Sequence, residues 1–281
     1  MIKNYLTACG MFFVLLLLQC TSTRTLADDS PYAGEQVVPL GMVLKLNSAA
    51  LGEARKLNVY LPQGYHTDSS MTYPVIYLLD GSAHEDYPHI VGLVQFLNLY
   101  EILPPAIVVG IANVDRYRDF THPSNDPIDL QELPTSGGSA AFIDFLADEL
   151  QPYIDQRFPT NGHRSLIGQS MGGLLATEVL FKRPQLFQDY LLVSPSLWWD
   201  QQSMINKAST YLSGIDLGSK RVFISLGQEH PTMHEVADKL AAALRSSGQS
   251  ELEVIYQPLL AEDHATILHR AVYLGFETLY K

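Results

Sequence analysis

Short apolar runs alternate with amphipathic segments along most of the chain. Continuous apolar runs such as 74–79 are typical of strands buried on both faces, whereas large apolar residues three or four positions apart, as in 140–158, indicate helices. Strands are predicted at 37–46, 56–61, 74–79, 106–111, 164–167, 190–193, 221–226 and 252–256, and helices at 90–102, 140–158, 172–181, 233–246 and 265–280. This alternation predicts an α/β fold in which helices cover both faces of a mostly parallel sheet.

A long polar segment that contains prolines interrupts the alternation at 113–138. Long irregular segments inside a domain are usually functional loops, so we expect this one to contribute to a binding site. No linker divides the rest of the chain, which predicts a single domain over residues 28–281.

The first 27 residues have a different pattern. Lys3 is followed by an almost wholly apolar stretch at 10–19 and then by Thr25-Leu26-Ala27, which is the pattern of a secretory signal peptide. We therefore expect a signal peptide at 1–27 and an exported protein, either periplasmic or secreted. The apolar stretch is short for a membrane span, which takes about 20 residues, and an uncleaved anchor is the alternative.

Both cysteines of the chain, Cys9 and Cys20, lie in this leader. A chain cleaved after Ala27 has no disulfide, no thiol chemistry and no metal site built on cysteine. Cys20 adds an alternative, because the sequence at 17–20 (LLQC) resembles a bacterial lipobox, although Gln19 stands where a small residue is usual. No stable membrane insertion is expected unless Cys20 is lipidated.

The charge balance is acidic. Eighteen Lys and Arg residues against 30 Asp and Glu give a net charge of −12, and loss of the leader, which carries Lys3 and Arg24 but no acid, makes the mature chain more negative still. Such a chain is poorly suited to binding nucleic acid or an anionic membrane surface. We therefore expect a small-molecule partner and no nucleic acid.

The segment Gly168-Gln169-Ser170-Met171-Gly172 lies between a predicted strand and a predicted helix. In a turn of this kind, a nucleophilic serine is exposed at the end of the strand, and the glycines allow strand and helix to approach each other. The amides at the start of the helix then face any negative charge that develops on a substrate oxygen, which suits acyl transfer. The alternative is a glycine-rich turn used only for packing.

A nucleophilic serine needs a base, and nine histidines are available. His264 follows the last predicted strand, which is the position of the base in a chain ordered serine, acid, histidine, whereas His269 lies inside the final helix. The acid should follow the penultimate strand, and Glu229 does so. Glu235 and Asp238 are weaker candidates, and a serine–histidine pair without an acid is an open alternative.

Two further groups of polar residues are candidates for binding a substrate or a metal ion. Arg116 and Arg118 stand beside aromatic residues in the long loop, where they could bind an anionic or aromatic substrate or form internal salt bridges with Asp115 or Asp119. His230 and His234 have helical spacing, but the order of residues is not that of a zinc motif. We predict no metal and no cofactor.

These motifs together resemble the esterase family of α/β hydrolases that includes esterase D-type enzymes, mycolyltransferase antigens and ferric-siderophore esterases. The resemblance covers nearly the whole mature chain and rests on 58–62 (NVYLP), Gly64-Tyr65, 73–81 (YPVIYLLDG), 118–121 (RDFT), 168–173 (GQSMGG), 194–199 (SPSLWW) and His264. It is greatest for the enterochelin and salmochelin esterase branch, in which a serine–histidine pair can suffice.

The resemblance implies an α/β-hydrolase fold and an oxyanion hole formed by the backbone N–H of Met171 and one at Gly81 or Ser82. It also places Trp198 and Trp199 near the site, with core packing as an equal alternative. The expected function is a serine carboxylic-ester hydrolase that forms an acyl-enzyme and acts on siderophore-type or small acyl esters. An acyltransferase and a non-catalytic binding protein on the same fold are the alternatives.

Overall fold

A computed structural model describes residues 40–66 and 70–281 of the chain, so the predicted leader at 1–27 and Cys20 lie outside the described residues. Eight strands form one sheet in the order β1-β2-β4-β3-β5-β6-β7-β8. Strand β2 is antiparallel to both of its neighbours, and the strands from β4 to β8 are parallel. The strands are β1 Met42–Ser48, β2 Glu53–Tyr60, β3 Tyr73–Leu78, β4 Ile107–Ile111, β5 Thr160–Gln169, β6 Asp189–Val193, β7 Lys220–Ser225 and β8 Leu252–Tyr256.

The predicted mostly parallel sheet is therefore confirmed, with shifted ends. Strand β1 was expected at 37–46, and its observed register follows from the hairpin turn at 49–52, where Gly52 adopts a φ of 65°. That turn pairs Met42 with Val59 and extends β1 to Ser48.

Ten α-helical segments accompany the sheet in the described residues. They are α1 Tyr87–Leu99, α2 Arg116–Phe120, α3 Pro127–Glu132, α4 Ser139–Asp144, α5 Gln151–Arg157, α6 Met171–Lys182, α7 Trp199–Asn206, α8 Ala208–Leu212, α9 Pro231–Arg245 and α10 Ile267–Leu279. The single helix predicted at 140–158 is divided by a π-helical turn at Phe145–Leu150. Pro152 explains the interruption, because proline has no N–H to donate to the preceding turn. The long polar segment contains two short helices, α2 and α3.

The strands from β2 to β8 divide their side chains between two hydrophobic cores. In β3, Val75 and Tyr77 join the larger core, which also includes side chains of α4, α5, α6 and α9, whereas Ile76 and Leu78 join the core beneath α1 and α10. Burying a large apolar side chain contributes roughly 1.5–3 kcal/mol, so the two cores hold the sheet rigidly between its helices. Within the described residues, no helix has both the length and the apolar character needed to cross a bilayer.

The parallel strands bring their carboxyl ends to one edge of the sheet. The connections that leave this edge begin at residues 79, 112, 170, 194, 226 and 257, after β3 to β8. Ligands bind at this edge in α/β proteins, because loops of different strands meet there on a rigid support.

Candidate active site

Ser170 occupies the turn between β5 and α6, with φ 57° and ψ −118°. A residue with a side chain is strained in this conformation by about 1–3 kcal/mol, and such strain is usually found at functional sites. The flanking glycines are required by space: a Cβ on Gly168 would lie 2.4 Å from the carbonyl oxygen of Gly172, and a Cβ on Gly173 would lie 2.9 Å from Pro195. The strand–turn–helix arrangement expected from the sequence is therefore present, with the serine at its apex.

His264 and Glu229 meet although they are 35 positions apart in the chain. His264 lies between β8 and α10, and Glu229 lies between β7 and α9. The distance from Nδ1 of His264 to Oε2 of Glu229 is 3.0 Å, and the side chain of Glu229 is only 4% exposed while that of His264 is 48% exposed. A carboxylate at this position fixes the Nδ1–H tautomer and leaves Nε2 of His264 free to accept a proton.

The other oxygen of Glu229 is also occupied. Oε1 accepts hydrogen bonds from the hydroxyl of Ser194 and from the amide of Gly227, the latter at 3.2 Å. Burial of Glu229 opposes its ionisation, but the hydrogen bonds from His264 and Ser194 outweigh this effect and hold the pKa of the carboxyl below its usual range. Glu229 is thus a fixed carboxylate rather than a solvated surface group.

Gln169 holds the backbone of His264 in place. Its Nε2 donates to the carbonyl oxygen of His264 at 2.5 Å. The loop that carries His264 also packs against the loop after β7, where the amide of Gln228 donates to the carbonyl oxygen of Glu262 at 2.7 Å. The residue before the serine therefore positions the histidine, a role that the sequence pattern did not reveal.

Ser170 has a hydroxyl neighbour that sequence reasoning missed. The Oγ atoms of Ser170 and Ser196 are 3.2 Å apart, and the amide of Ser196 donates to the carbonyl oxygen of Ser170 at 3.0 Å. Ser196 is 2% exposed, so the contact is sheltered from water. Its place in the 194–199 motif was the only sequence signal that pointed to it.

Ser170 and His264 line the same cavity, which has a volume of about 390 Å³. The other residues that line it are Asp80, Glu85, Asp86, Arg116 and Gln169. Apart from Gln169, these residues come from the connections after β3 and β4, so the cavity lies between those connections and the serine.

The expected oxyanion donors differ in their availability. The amide of Met171 is the first of α6 and has no acceptor among the described residues. It lies at the positive end of the helix dipole and is available to bind a negative oxygen. The amide of Gly81 donates to the carbonyl oxygen of Ile111 at 3.0 Å within the sheet edge. The amide of Ser82 donates to Oε2 of Glu85 at 3.3 Å, and this partner is a side chain that can move.

The two loop arginines have different surroundings. Arg116 lines the cavity, where its Nε and NH2 atoms bind both oxygens of Asp80 at 2.7 Å and 2.9 Å. Arg118 does not line the cavity: its guanidinium binds Glu53 at 2.6 Å and Asp119 at 2.8 Å. Both guanidinium groups are thus paired within the protein, which is the internal salt bridging left open by the sequence.

The two tryptophans also differ in their burial and in their contacts. Trp199 is 1% exposed and its indole N–H donates to the carbonyl oxygen of His122 at 2.8 Å, so its surroundings are those of a core residue. Trp198 is 37% exposed, and neither indole lines the cavity beside Ser170. The described residues contain no group of three or more His, Cys, Asp or Glu side chains placed to hold a metal ion, and His230 instead caps the start of α9.

The strand order, the strained serine at a strand–helix turn and the buried carboxylate on the histidine together define a hydrolase site on an α/β-hydrolase fold. Comparison with known proteins leads to the same class. A family model described as "Putative esterase" matches residues 48–264. The chain belongs to this esterase family and is an ester-hydrolysing enzyme.

Individual relatives are similar over much of their length. The ferri-bacillibactin esterase BesA of Bacillus subtilis is 26% identical over 242 residues, which cover 77% of this chain and 82% of that protein. A siderophore enterobactin esterase of Emericella nidulans is 29% identical over 189 residues, which cover 62% of this chain and 58% of that protein. Among solved structures, an IroE-like serine hydrolase from Shewanella oneidensis has a TM-score of 0.77 and 29% identity, over 85% of this chain and 79% of that one.

Proposed function

We propose that this esterase hydrolyses siderophore-type esters through a covalent acyl-enzyme, with Ser170 as nucleophile, His264 as base and Glu229 as the acid that orients the base. One observation carries the proposal: the buried Glu229 carboxylate binds Nδ1 of His264, and His264 shares a cavity with a strained serine. The substrate class is supported by the relatives, which are named as a ferri-bacillibactin esterase and a siderophore enterobactin esterase.

In the first half-reaction, Oγ of Ser170 attacks the ester carbonyl carbon while its proton moves to Nε2 of His264. The resulting imidazolium is stabilised by Glu229. Collapse of the tetrahedral intermediate breaks the bond to the alcohol, which leaves with the proton from His264. The acyl group is then an ester of Ser170.

In the second half-reaction, water attacks the acyl carbon and gives its proton to His264. The bond to Oγ of Ser170 breaks, Ser170 recovers its proton from His264, and the carboxylic acid is released. In both halves, the amide of Met171 lies at the helix start that faces the negative oxygen, and the amide of Ser82 is the second donor once Glu85 moves away.

We further propose that the protein is exported. The support is the pattern of a basic start, an apolar stretch at 10–19 and Thr25-Leu26-Ala27. Peptide sequencing of the secreted or periplasmic protein should find Asp28 at its amino terminus. A lipidated Cys20 at the amino terminus would instead support anchoring to a membrane.

The decisive test of the catalytic residues is covalent labelling. The wild-type protein and Ser170→Ala are treated with a fluorophosphonate, and their intact masses are measured. One adduct on the wild type and none on the variant, together with loss of ester hydrolysis by several orders of magnitude in the variant, is the expected result. No adduct on folded wild-type protein would exclude an activated serine. Adding a competing alcohol and analysing the products distinguishes hydrolysis from acyl transfer.

A further inference from the structure

Glu85 lies on the wall of the cavity, and its hydrogen-bond partners are uncharged. Its Oε2 accepts from the amide of Ser82 at 3.3 Å, and both of its oxygens lie 3.3 Å from Nδ2 of Asn113. The amide of Glu85 in turn donates to the carbonyl oxygen of Ser82 at 3.0 Å. Residues 82 and 85 thus form a tight turn closed by a backbone bond and by a bond from the Ser82 amide to the Glu85 carboxylate, which explains how the loop holds the side chain in place.

The charges of the cavity do not balance. The one arginine among its lining residues, Arg116, binds both oxygens of Asp80 and so neutralises that carboxylate. Asp86 has His89 as its partner at 3.3 Å, with the side chains 27% and 38% exposed, respectively. Glu85 forms no ion pair in the described part of the chain; Arg116 is close enough to attract it electrostatically but is bound to Asp80. The lining carboxylates therefore outnumber the single arginine, and the cavity that contains Ser170 is negatively charged.

We propose that Glu85 is a specificity-determining residue that selects substrates by charge: the cavity accepts esters that are cationic or neutral close to the scissile carbonyl and discriminates against anionic ones. This inference rests on the ester hydrolysis proposed for Ser170. A carboxylate on the substrate would be repelled by Glu85 and would meet no free guanidinium, since Arg116 is already paired.

The bond between Glu85 and Ser82 connects this selection to catalysis. A cationic group of the substrate attracts the Glu85 carboxylate, and the amide of Ser82 is then released to bind the oxygen that becomes negative. An anionic group gives the carboxylate no such alternative partner. Selection should therefore affect kcat as well as KM, because the donor is needed in the transition state.

The size of the effect follows from the charges. Two unit charges about 6 Å apart in a partly solvated cavity change kcat/KM by roughly 5-fold to 150-fold, which is about 1–3 kcal/mol. Salt screens such interactions, with a Debye length of about 10 Å at 0.1 M, so the preference should become smaller as ionic strength rises.

The test uses three p-nitrophenyl esters of similar size: pentanoate (neutral), trimethylammonium-butyrate (cationic) and hemiglutarate (anionic). We expect wild-type kcat/KM to be at least about tenfold higher for the cationic than for the anionic ester at low salt, with the ratio approaching one at high salt. Glu85→Gln retains an oxygen that can accept from the amide of Ser82 but removes the charge, and should reduce the ratio about tenfold. Glu251→Gln removes a carboxylate just before β8, at the opposite edge of the sheet, and should leave the ratio as in the wild type.

Different results would contradict charge selection by Glu85 and catalysis by Ser170. Equal rates for the cationic and anionic esters in the wild type, or an unchanged ratio in Glu85→Gln, overturn charge selection by Glu85. The salt dependence of the wild-type ratio gives an independent answer if the variant does not fold. If Ser170 takes no fluorophosphonate, or if Ser170→Ala still hydrolyses the esters, the proposed mechanism fails instead.

Discussion

Replacing Glu229 with glutamine tests whether this site is a triad or a serine–histidine pair. In the wild type, three donors meet the carboxylate: His264 at Oε2, and Ser194 and Gly227 at Oε1. Glutamine offers one oxygen and one NH2 group, so it cannot accept on both sides. The hydroxyl of Ser194 can rotate, but the amide of Gly227 cannot.

If the new amide oxygen faced His264, the NH2 group would meet the amide of Gly227 and leave a buried donor without an acceptor, which costs about 1–3 kcal/mol. We therefore expect the oxygen to face Gly227 and the NH2 group to face Nδ1 of His264. That contact requires a bare Nδ1, so the proton moves to Nε2 and His264 cannot accept one from Ser170. The expected loss in kcat/KM is roughly 10³-fold to 10⁴-fold, about 4–5.5 kcal/mol of transition-state stabilisation.

The assay is hydrolysis of a neutral p-nitrophenyl ester by wild type, Glu229→Gln and a control, with the rate of fluorophosphonate labelling as a second readout. Glu235→Gln is a suitable control, because this residue was the weaker acid candidate and its exposed side chain pairs with Lys239 on α9. The control should keep its activity within about twofold, since exposed ion pairs contribute little. Activity of Glu229→Gln within about tenfold of the wild type would refute the triad and establish the serine–histidine pair.

Three further outcomes are expected. The free energy of unfolding of Ser170→Gly, measured in urea, should be about 1 kcal/mol higher than that of Ser170→Ala, because glycine tolerates the positive φ at this position whereas alanine is strained there. Arg118→Met should lower the free energy of unfolding by about 1–3 kcal/mol, because the guanidinium bonds to Asp119 and Glu53 are lost. Its kcat/KM should stay within about threefold of the wild-type value. A large rise in KM would instead show that Arg118 binds substrate. Burial opposes ionisation of Asp189, but His163 and Arg221 lower its pKa overall, so its stabilising effect is present above the unfolded pKa of about 3.9 and lost as pH falls through the folded value. Urea unfolding of Asp189→Asn at neutral and acid pH should therefore show lower stability at pH 7 and a smaller loss on acidification than the wild type; an equal loss would contradict this.

The residues predicted from local signals occur where chain order places them. Ser170 lies at a strand–helix turn, His264 follows the last strand and Glu229 follows the penultimate one, because these signals depend on nearest neighbours in sequence and on the order of strands. The separation of Glu229 from the weaker candidate Glu235 required the structure, since only three-dimensional placement brings one of them within 3.0 Å of Nδ1.

Features that depend on distant partners were not predictable. Residues 200–202 of α7 adopt positive φ values of 48°, 51° and 65°, although none is glycine. Asp129 of α3 holds this turn by accepting from the amide of Asp200 at 2.9 Å, 71 positions away in the chain. A pattern of neighbours gives no information about such a contact, and a sequence of this kind would ordinarily be expected to continue a right-handed helix.

The ion pairs of the cavity wall also join residues that are distant in the sequence, so the sequence alone does not predict them. Because these ion pairs set the charge of the cavity, family membership alone does not determine the substrate. The proposed catalytic groups lie where the fold places them, but whether a loop arginine recognises an anion depends on whether a carboxylate of the protein is already bound to it. In this chain Arg116 is bound to Asp80, and Arg118 is bound to Glu53 and Asp119. Glu85 forms no ion pair among the described residues. A ferric tris-catecholate complex is trianionic, whereas an iron-free tris-catechol ester is neutral until its phenols ionise. If Glu85 selects by charge as proposed, this cavity favours a siderophore-type ester in its iron-free form, and the enzyme would differ in this respect from the relative named as a ferri-bacillibactin esterase.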